Sequence, residues 1–126
     1  MKNYIILIIS VILIITFGLW ELKYFKTTST YLLTEIDYVD NMIRSENFKE
    51  AKIACESFIS TWDKYKFMWN IFISHDEIEM VQENVSKLKI YLEKEYLIDS
   101  IVHSNLIIEN INHIISEGKV SFQTIF

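Results

Sequence analysis

The chain has 126 residues, 51% of them apolar, with 12 basic and 17 acidic side chains, a formal net charge of −5, two glycines, no proline and one cysteine. That length suits one compact domain beside a membrane segment and is too short for two. The acidic balance excludes nucleic acid as a partner, the scarcity of glycine excludes phosphate cradles and dinucleotide loops, and a lone Cys55 can form no disulfide within the chain.

The first element runs from Tyr4 to Trp20, 17 residues without a charge. A helix of that length rises about 25 Å, and Leu19 to Leu22 with a snorkelling Lys23 extend it to the ~30 Å of a hydrocarbon layer. Tyr4 at one end and Trp20, Tyr24 and Phe25 at the other suit the two headgroup regions. A cleaved signal peptide is the rival reading. The residues that follow, Trp20 to Tyr24, offer signal peptidase no small side chains, so an uncleaved transmembrane anchor over 4–22 is expected. Lys2 and the terminal amine oppose Lys23 and Lys26, and the short N-terminal tail favours a cytoplasmic N-terminus with the C-terminal domain outside, at the cell membrane. The span has no small-xxx-small pair and gives no helix-dimer signal.

From Thr27 onward 9 basic and 16 acidic side chains leave a net charge of −7. Leu32, Ile36, Val39 and Ile43 form an amphipathic stripe, with Glu35, Asp37, Asp40 and Arg44 at the other positions, and predict a helix over 30–44. Only the Thr/Ser run at 27–30 separates it from the anchor, so the two read either as separate helices or as one rod. Ser45 to Asn47 form a turn, with Asn47 and Glu50 at capping-box spacing. Phe48, Ala51, Cys55, Phe58, Trp62, Tyr65, Trp69 and Phe72 then alternate by threes and fours, predicting a helix over 48–73 that packs nearly parallel or antiparallel to its neighbours.

Ser74 and Glu77 make a second capping box, with Ile73 and Ile78 as a hydrophobic staple. The helix they start, 75–93, carries Ile78, Val81, Val85, Leu88 and Leu92. A fourth, 96–116, carries Leu97, Ile101, Ser104, Ile108, Ile111 and Ile115, with Gly118 as its C-cap. Shifting the chain by about 49 residues places Val39 on Leu88, Ile43 on Leu92, Glu46 on Glu95, Phe48 on Leu97, Cys55 on Ser104 and Ile59 on Ile108. The expected fold is therefore all-α: a transmembrane anchor (1–26), a four-helix array of two helical hairpins with a tetratricopeptide-like look (27–118), and an apolar tail (119–126).

No catalytic motif accompanies this pattern. Cys55 lies inside an apolar stripe, where it reads as a buried spacer. His75, Glu79 and Glu83 at i, i+4, i+8 form the most metal-like set, although carboxylates in a first helical turn are expected from the helix dipole alone. Asp99 with His103 and Glu109 with His113 read as solvated i, i+4 pairs. Trp62 and Trp69 could line a ligand wall, core packing being the simpler account. The tail, with Val120, Phe122, Ile125 and Phe126, is too apolar to stay in water and is expected to dock in the domain's own groove, on a partner or on the membrane surface.

The N-terminal anchor, the NFKEA start of the second helix, Trp62 followed by Trp69, the HDEIE run at 75–79 and the ending in Ile125 and Phe126 resemble domain of unknown function family 4363, uncharacterised bacterial membrane-anchored proteins. The resemblance covers nearly the whole chain. It implies a single-pass anchor with a small helical domain and a link to a neighbouring multi-pass membrane protein, and it brings no established activity or cofactor. The function expected is a non-enzymatic interaction or accessory module for another membrane or envelope protein, with Trp62, Trp69, His75, Phe122, Ile125 and Phe126 as candidate contacts. The alternatives are a small-ligand sensor built on the Trp62/Trp69 face and a metal-dependent envelope hydrolase using His75 and its acidic neighbours.

Overall fold

The computed structural model describes the backbone of residues 1–125 and the side chains of residues 1–117. It contains four helices, α1 (Lys2–Arg44), α2 (Phe48–Phe72), α3 (His75–Glu93) and α4 (Leu97–Ile125), and no strand among the described residues. The chain is all-α, and its first helix holds a segment long and apolar enough to cross a membrane. α1 packs on α2 and α4, and α3 packs on α2 and α4, so the two hairpins close into a ring around one core.

The apolar segment and the first amphipathic helix are one rod. Across the Thr/Ser run the side-chain hydroxyls turn back onto the helix: Thr28 Oγ1 donates to the Tyr24 carbonyl at 2.8 Å, Ser29 Oγ to Lys26 at 3.2 Å and Thr30 Oγ1 to Lys26 at 2.7 Å. Hydroxyls bonded in this way no longer compete for the backbone, and the run stays helical. Leu32, Ile36, Val39 and Ile43 are fully buried, as the stripe predicts, whereas the side chains from Tyr4 to Phe17 are exposed.

Four expectations about this core need correction. Asp40, placed off the apolar stripe, is buried. Ser104 Oγ donates to its Oδ1 at 2.7 Å and Arg44 Nε to its Oδ2 at 2.8 Å, tying α1 to α4. The buried seam of α4 is Ser100, Ser104, Ile107, Ile111 and Ile114, while Ile101, Ile108 and Ile115 sit along its edge. The apolar stripe shares only Ser104 and Ile111 with that seam. Gly118 does not cap α4, which continues to Ile125; a single glycine costs a helix interior only about 1 kcal/mol, and no proline follows to stop it. Residues 119–125 are therefore helical. The side chains of Phe122 and Ile125 and the whole of Phe126 lie outside the described residues.

The 49-residue correspondence extends beyond the sequence match. Ser29, Leu32, Ile36, Val39 and Ile43 of α1 correspond to Ile78, Val81, Val85, Leu88 and Leu92 of α3, and Ala51, Cys55, Phe58 and Trp62 of α2 to Ser100, Ser104, Ile107 and Ile111 of α4; every one is buried. Even the turns match. Glu46 N donates to Ile43 O at 2.9 Å and Asn47 N to Met42 O at 2.9 Å, while Glu95 N donates to Leu92 O at 3.1 Å and Tyr96 N to Tyr91 O at 3.0 Å. Both are Schellman endings with a glutamate in the left-handed region, at φ 59° for Glu46 and 57° for Glu95. A Cβ is costly there, so Glu46→Gly is expected to raise stability by about 1 kcal/mol. A denaturation midpoint left unchanged or lowered would contradict that geometry.

Candidate functional site

The helices alternate in direction, so the C-terminal ends of α2 and α4 and the start of α3 gather at the end of the bundle where α1 emerges from its apolar segment. An aromatic seam fills that end. Phe25 lies 5.0 Å from Trp69 between ring centroids, Trp62 meets Trp69 edge-on at 5.9 Å, and Tyr24 meets Tyr65 at 6.3 Å. The ring of Phe72 touches both Phe25 and Phe17, each at 6.1 Å, so the seam continues onto the apolar segment itself.

Trp62 and Trp69 are wholly buried, and both indole N–H groups are satisfied. Trp69 Nε1 donates to Thr28 Oγ1 at 3.0 Å and Trp62 Nε1 to Gln82 Oε1 at 2.9 Å. They hold α2 to α1 and α3. As core they offer no wall to a ligand and no surface to a partner, which corrects the ligand-face expectation.

His75, Glu79 and Glu83 do not converge. His75 Nε2 faces Glu79 Oε1 at 3.3 Å with both side chains largely in solvent, while Glu83 turns to Lys87 at 3.3 Å. His103 Nδ1 meets the backbone carbonyl of Asp99 at 2.8 Å rather than its carboxylate, and its ring lies 4.9 Å from Tyr91. His113 pairs with carboxylates other than that of Glu109. Its Nδ1 faces Glu77 Oε1 at 3.2 Å and its Nε2 faces Glu117 Oε1 at 3.5 Å, bridging the first turn of α3 to α4.

Glu77, His113 and Glu117 bring one ligand atom each to within 4.8 Å of one another, beside a cleft of about 350 Å³ that Met80, Glu109, Asn110 and Ile114 also line. An imidazole nitrogen with two carboxylate oxygens is a donor set that divalent transition metals accept. As folded, both ring nitrogens already face carboxylates, and the cluster serves as a clamp between α3 and α4. The i, i+4 spacing of His113 and Glu117 was visible in the sequence. Glu77 joins them only through the α3–α4 register.

Burial, and next the nearby Glu117, push the Glu77 carboxyl above its usual range, partly offset by His113. A carboxyl raised on folding holds its proton more firmly in the native state, so its contribution is present at low pH and is lost as pH rises through the folded-state value. Glu77→Gln is expected to flatten that decline in a series of thermal midpoints against pH. Identical profiles for the two proteins would exclude the raised carboxyl. Cys55 is buried, and desolvation pushes its thiol up to about 12. It should resist alkylation at pH 8 in the folded protein and react fully once unfolded; modification at the rate of a free thiol in the native state would refute its burial.

The profile of the family described as Domain of unknown function (DUF4363) matches residues 19–125. The chain belongs to this family. The DUF4363 match takes in the whole bundle and the junction with the apolar segment, starting at Leu19, and so includes the aromatic seam from Trp20 to Phe72 and the Glu77–His113–Glu117 clamp. No curated protein and no solved structure matches the chain.

Proposed function

We propose that this DUF4363 chain is a non-enzymatic, single-pass membrane protein whose helical bundle serves as an interaction or accessory module for another membrane or envelope protein, with the N-terminus in the cytoplasm and the bundle outside. The observation that carries the proposal is the continuity of α1: the same 43-residue helix has an exposed apolar half and a half that forms one wall of the bundle core. A helix in that position ties the bundle to the bilayer without a flexible linker. That arrangement holds a docking domain at a fixed height and orientation beside a neighbour in the same membrane. The bundle interior, filled by Trp62, Trp69, Phe58 and their aliphatic neighbours, also supports a role exercised at the surface.

Purification of the full-length protein from native membranes in mild detergent tests this directly. A membrane protein recovered in near-stoichiometric amount, and lost with the 27–126 fragment, is the expected result. Recovery of the chain alone at every detergent concentration would overturn the proposal.

A further inference from the structure

The corner between α2 and α3 lies beside the apolar segment of α1. Because the Phe72 ring reaches both Phe17 and Phe25, the last turn of α2 stands level with the stretch that includes Trp20 and Tyr24, whose rings stack at 5.4 Å. Just before it, Phe67 and Ile71 occupy one outward face a turn apart, 72% and 60% exposed. Lys64, one turn further back on the same side, is also exposed. The twelve residues from Lys64 to His75 contain no aspartate or glutamate, in a domain whose net charge is −7. Carboxylates resume at Asp76, in the first turn of α3, which leads away from the corner.

We infer that this corner is a second membrane contact: Phe67 and Ile71 enter the headgroup and upper acyl region of the bilayer that α1 crosses, with Lys64 at the phosphate level. The inference rests on α1 being a span. Three features select lipid as the occupant. The face continues onto the apolar segment through the Phe17–Phe72 contact. Its chemistry is an aromatic and a branched aliphatic side chain below a lysine, the composition that interfacial helices use. It lacks the carboxylates that cover the rest of the domain and would resist the headgroup layer. With α1 this makes two attachment points, which fix the tilt of the bundle and its rotation about the span.

Environment-sensitive fluorophores placed on single cysteines in the full-length protein test the contact. Ile8→Cys in the apolar segment, Phe67→Cys and Ile71→Cys at the corner, and Ile98→Cys at the far end of the bundle are compared in a Cys55→Ser background, in phosphatidylcholine vesicles. All four positions are exposed, so labelling leaves the core intact. Quenching by nitroxide-bearing lipid at 67 and 71 is expected to exceed that at 98 by about threefold or more, with iodide showing the reverse order. Iodide quenching at 67 and 71 equal to that at 98, while Ile8→Cys remains in lipid, would overturn the corner contact and leave the span standing. Protection at 67 and 71 from both quenchers would assign the face to a second copy of the chain and would equally overturn the inference. Iodide access at Ile8→Cys would defeat the span itself.

Discussion

Trp69→Ala is expected to lower the stability of the bundle by about 4 kcal/mol, the largest loss from any single truncation at the aromatic seam. Three terms act together. The indole is fully buried and its removal leaves a cavity between α1 and α2 that Phe25 and Trp62 can only partly refill. The hydrogen bond from Nε1 to Thr28 Oγ1 is lost, leaving a buried hydroxyl one partner short. The edge-to-face contact with Trp62 goes as well, at about 1 kcal/mol. Trp69→Phe keeps most of the volume and is expected to cost less than half as much. Denaturant titration of the full-length protein in detergent checks both variants; a loss below about 1 kcal/mol for alanine would mean that the seam is not part of the core.

Thr27→Pro carries the second largest effect, and it acts on coupling as well as stability. Thr27 is exposed, so its side chain contributes little, and Thr27→Ala should behave as wild type. Proline at this position removes the backbone N–H that α1 needs and clashes with the carbonyl four residues earlier, costing about 3 kcal/mol. The helix can avoid that cost by kinking or fraying between the apolar segment and the bundle. The bundle then keeps much of its core and loses its fixed placement. On the proposed function, Thr27→Pro should reduce co-purification of the membrane partner well before it abolishes folding. A variant that is fully folded and retains its partner as wild type does would show that rigid coupling is unimportant.

Much of this fold is legible in the sequence because its seams are strongly apolar. Leu32, Ile36, Val39 and Ile43, the Ala51-to-Trp69 run, and Ile78 to Leu92 stand out by spacing alone, and all are buried where that spacing puts them except Tyr65, which is half-buried. The caps are equally readable: Asn47 accepts from the Glu50 amide and Ser74 from the Glu77 amide. α4 is harder to read: its stripe finds Ser104 and Ile111, but Ser100 is a small polar residue, and Ile107 and Ile114 are each followed by a second isoleucine that fits the spacing as well, so the register shows only when Ala51 and Cys55 appear at the positions equivalent to Ser100 and Ser104.

The continuity of α1 and the burial of Asp40 depend on partners that periodicity does not reveal. A Thr/Ser run fits a break and a helix alike; here its hydroxyls bond back to the Tyr24 and Lys26 carbonyls within a continuous helix, and Thr28 accepts the buried Trp69 indole N–H from α2. Asp40 is acceptable inside because Ser104, 64 residues away, and Arg44 satisfy it. The same holds for the site. Helical spacing offered His75, Glu79 and Glu83, whereas the cluster that forms, Glu77 with His113 and Glu117, joins two helices through their register. The exposed corner at Phe67 and Ile71 gains its meaning only once Phe72 is seen against Phe17.

One unbroken helix carries the chain from the apolar segment into the core of the bundle. A pulsed dipolar distance between nitroxides at Ile8→Cys and Asp37→Cys, measured on the full-length Cys55→Ser protein in lipid nanodiscs, tests it most directly. A straight helix places these exposed positions about 44 Å apart. A single narrow distribution near that value is expected, broadened and shortened in Thr27→Pro. A broad or shorter distribution in the protein without the proline would contradict it.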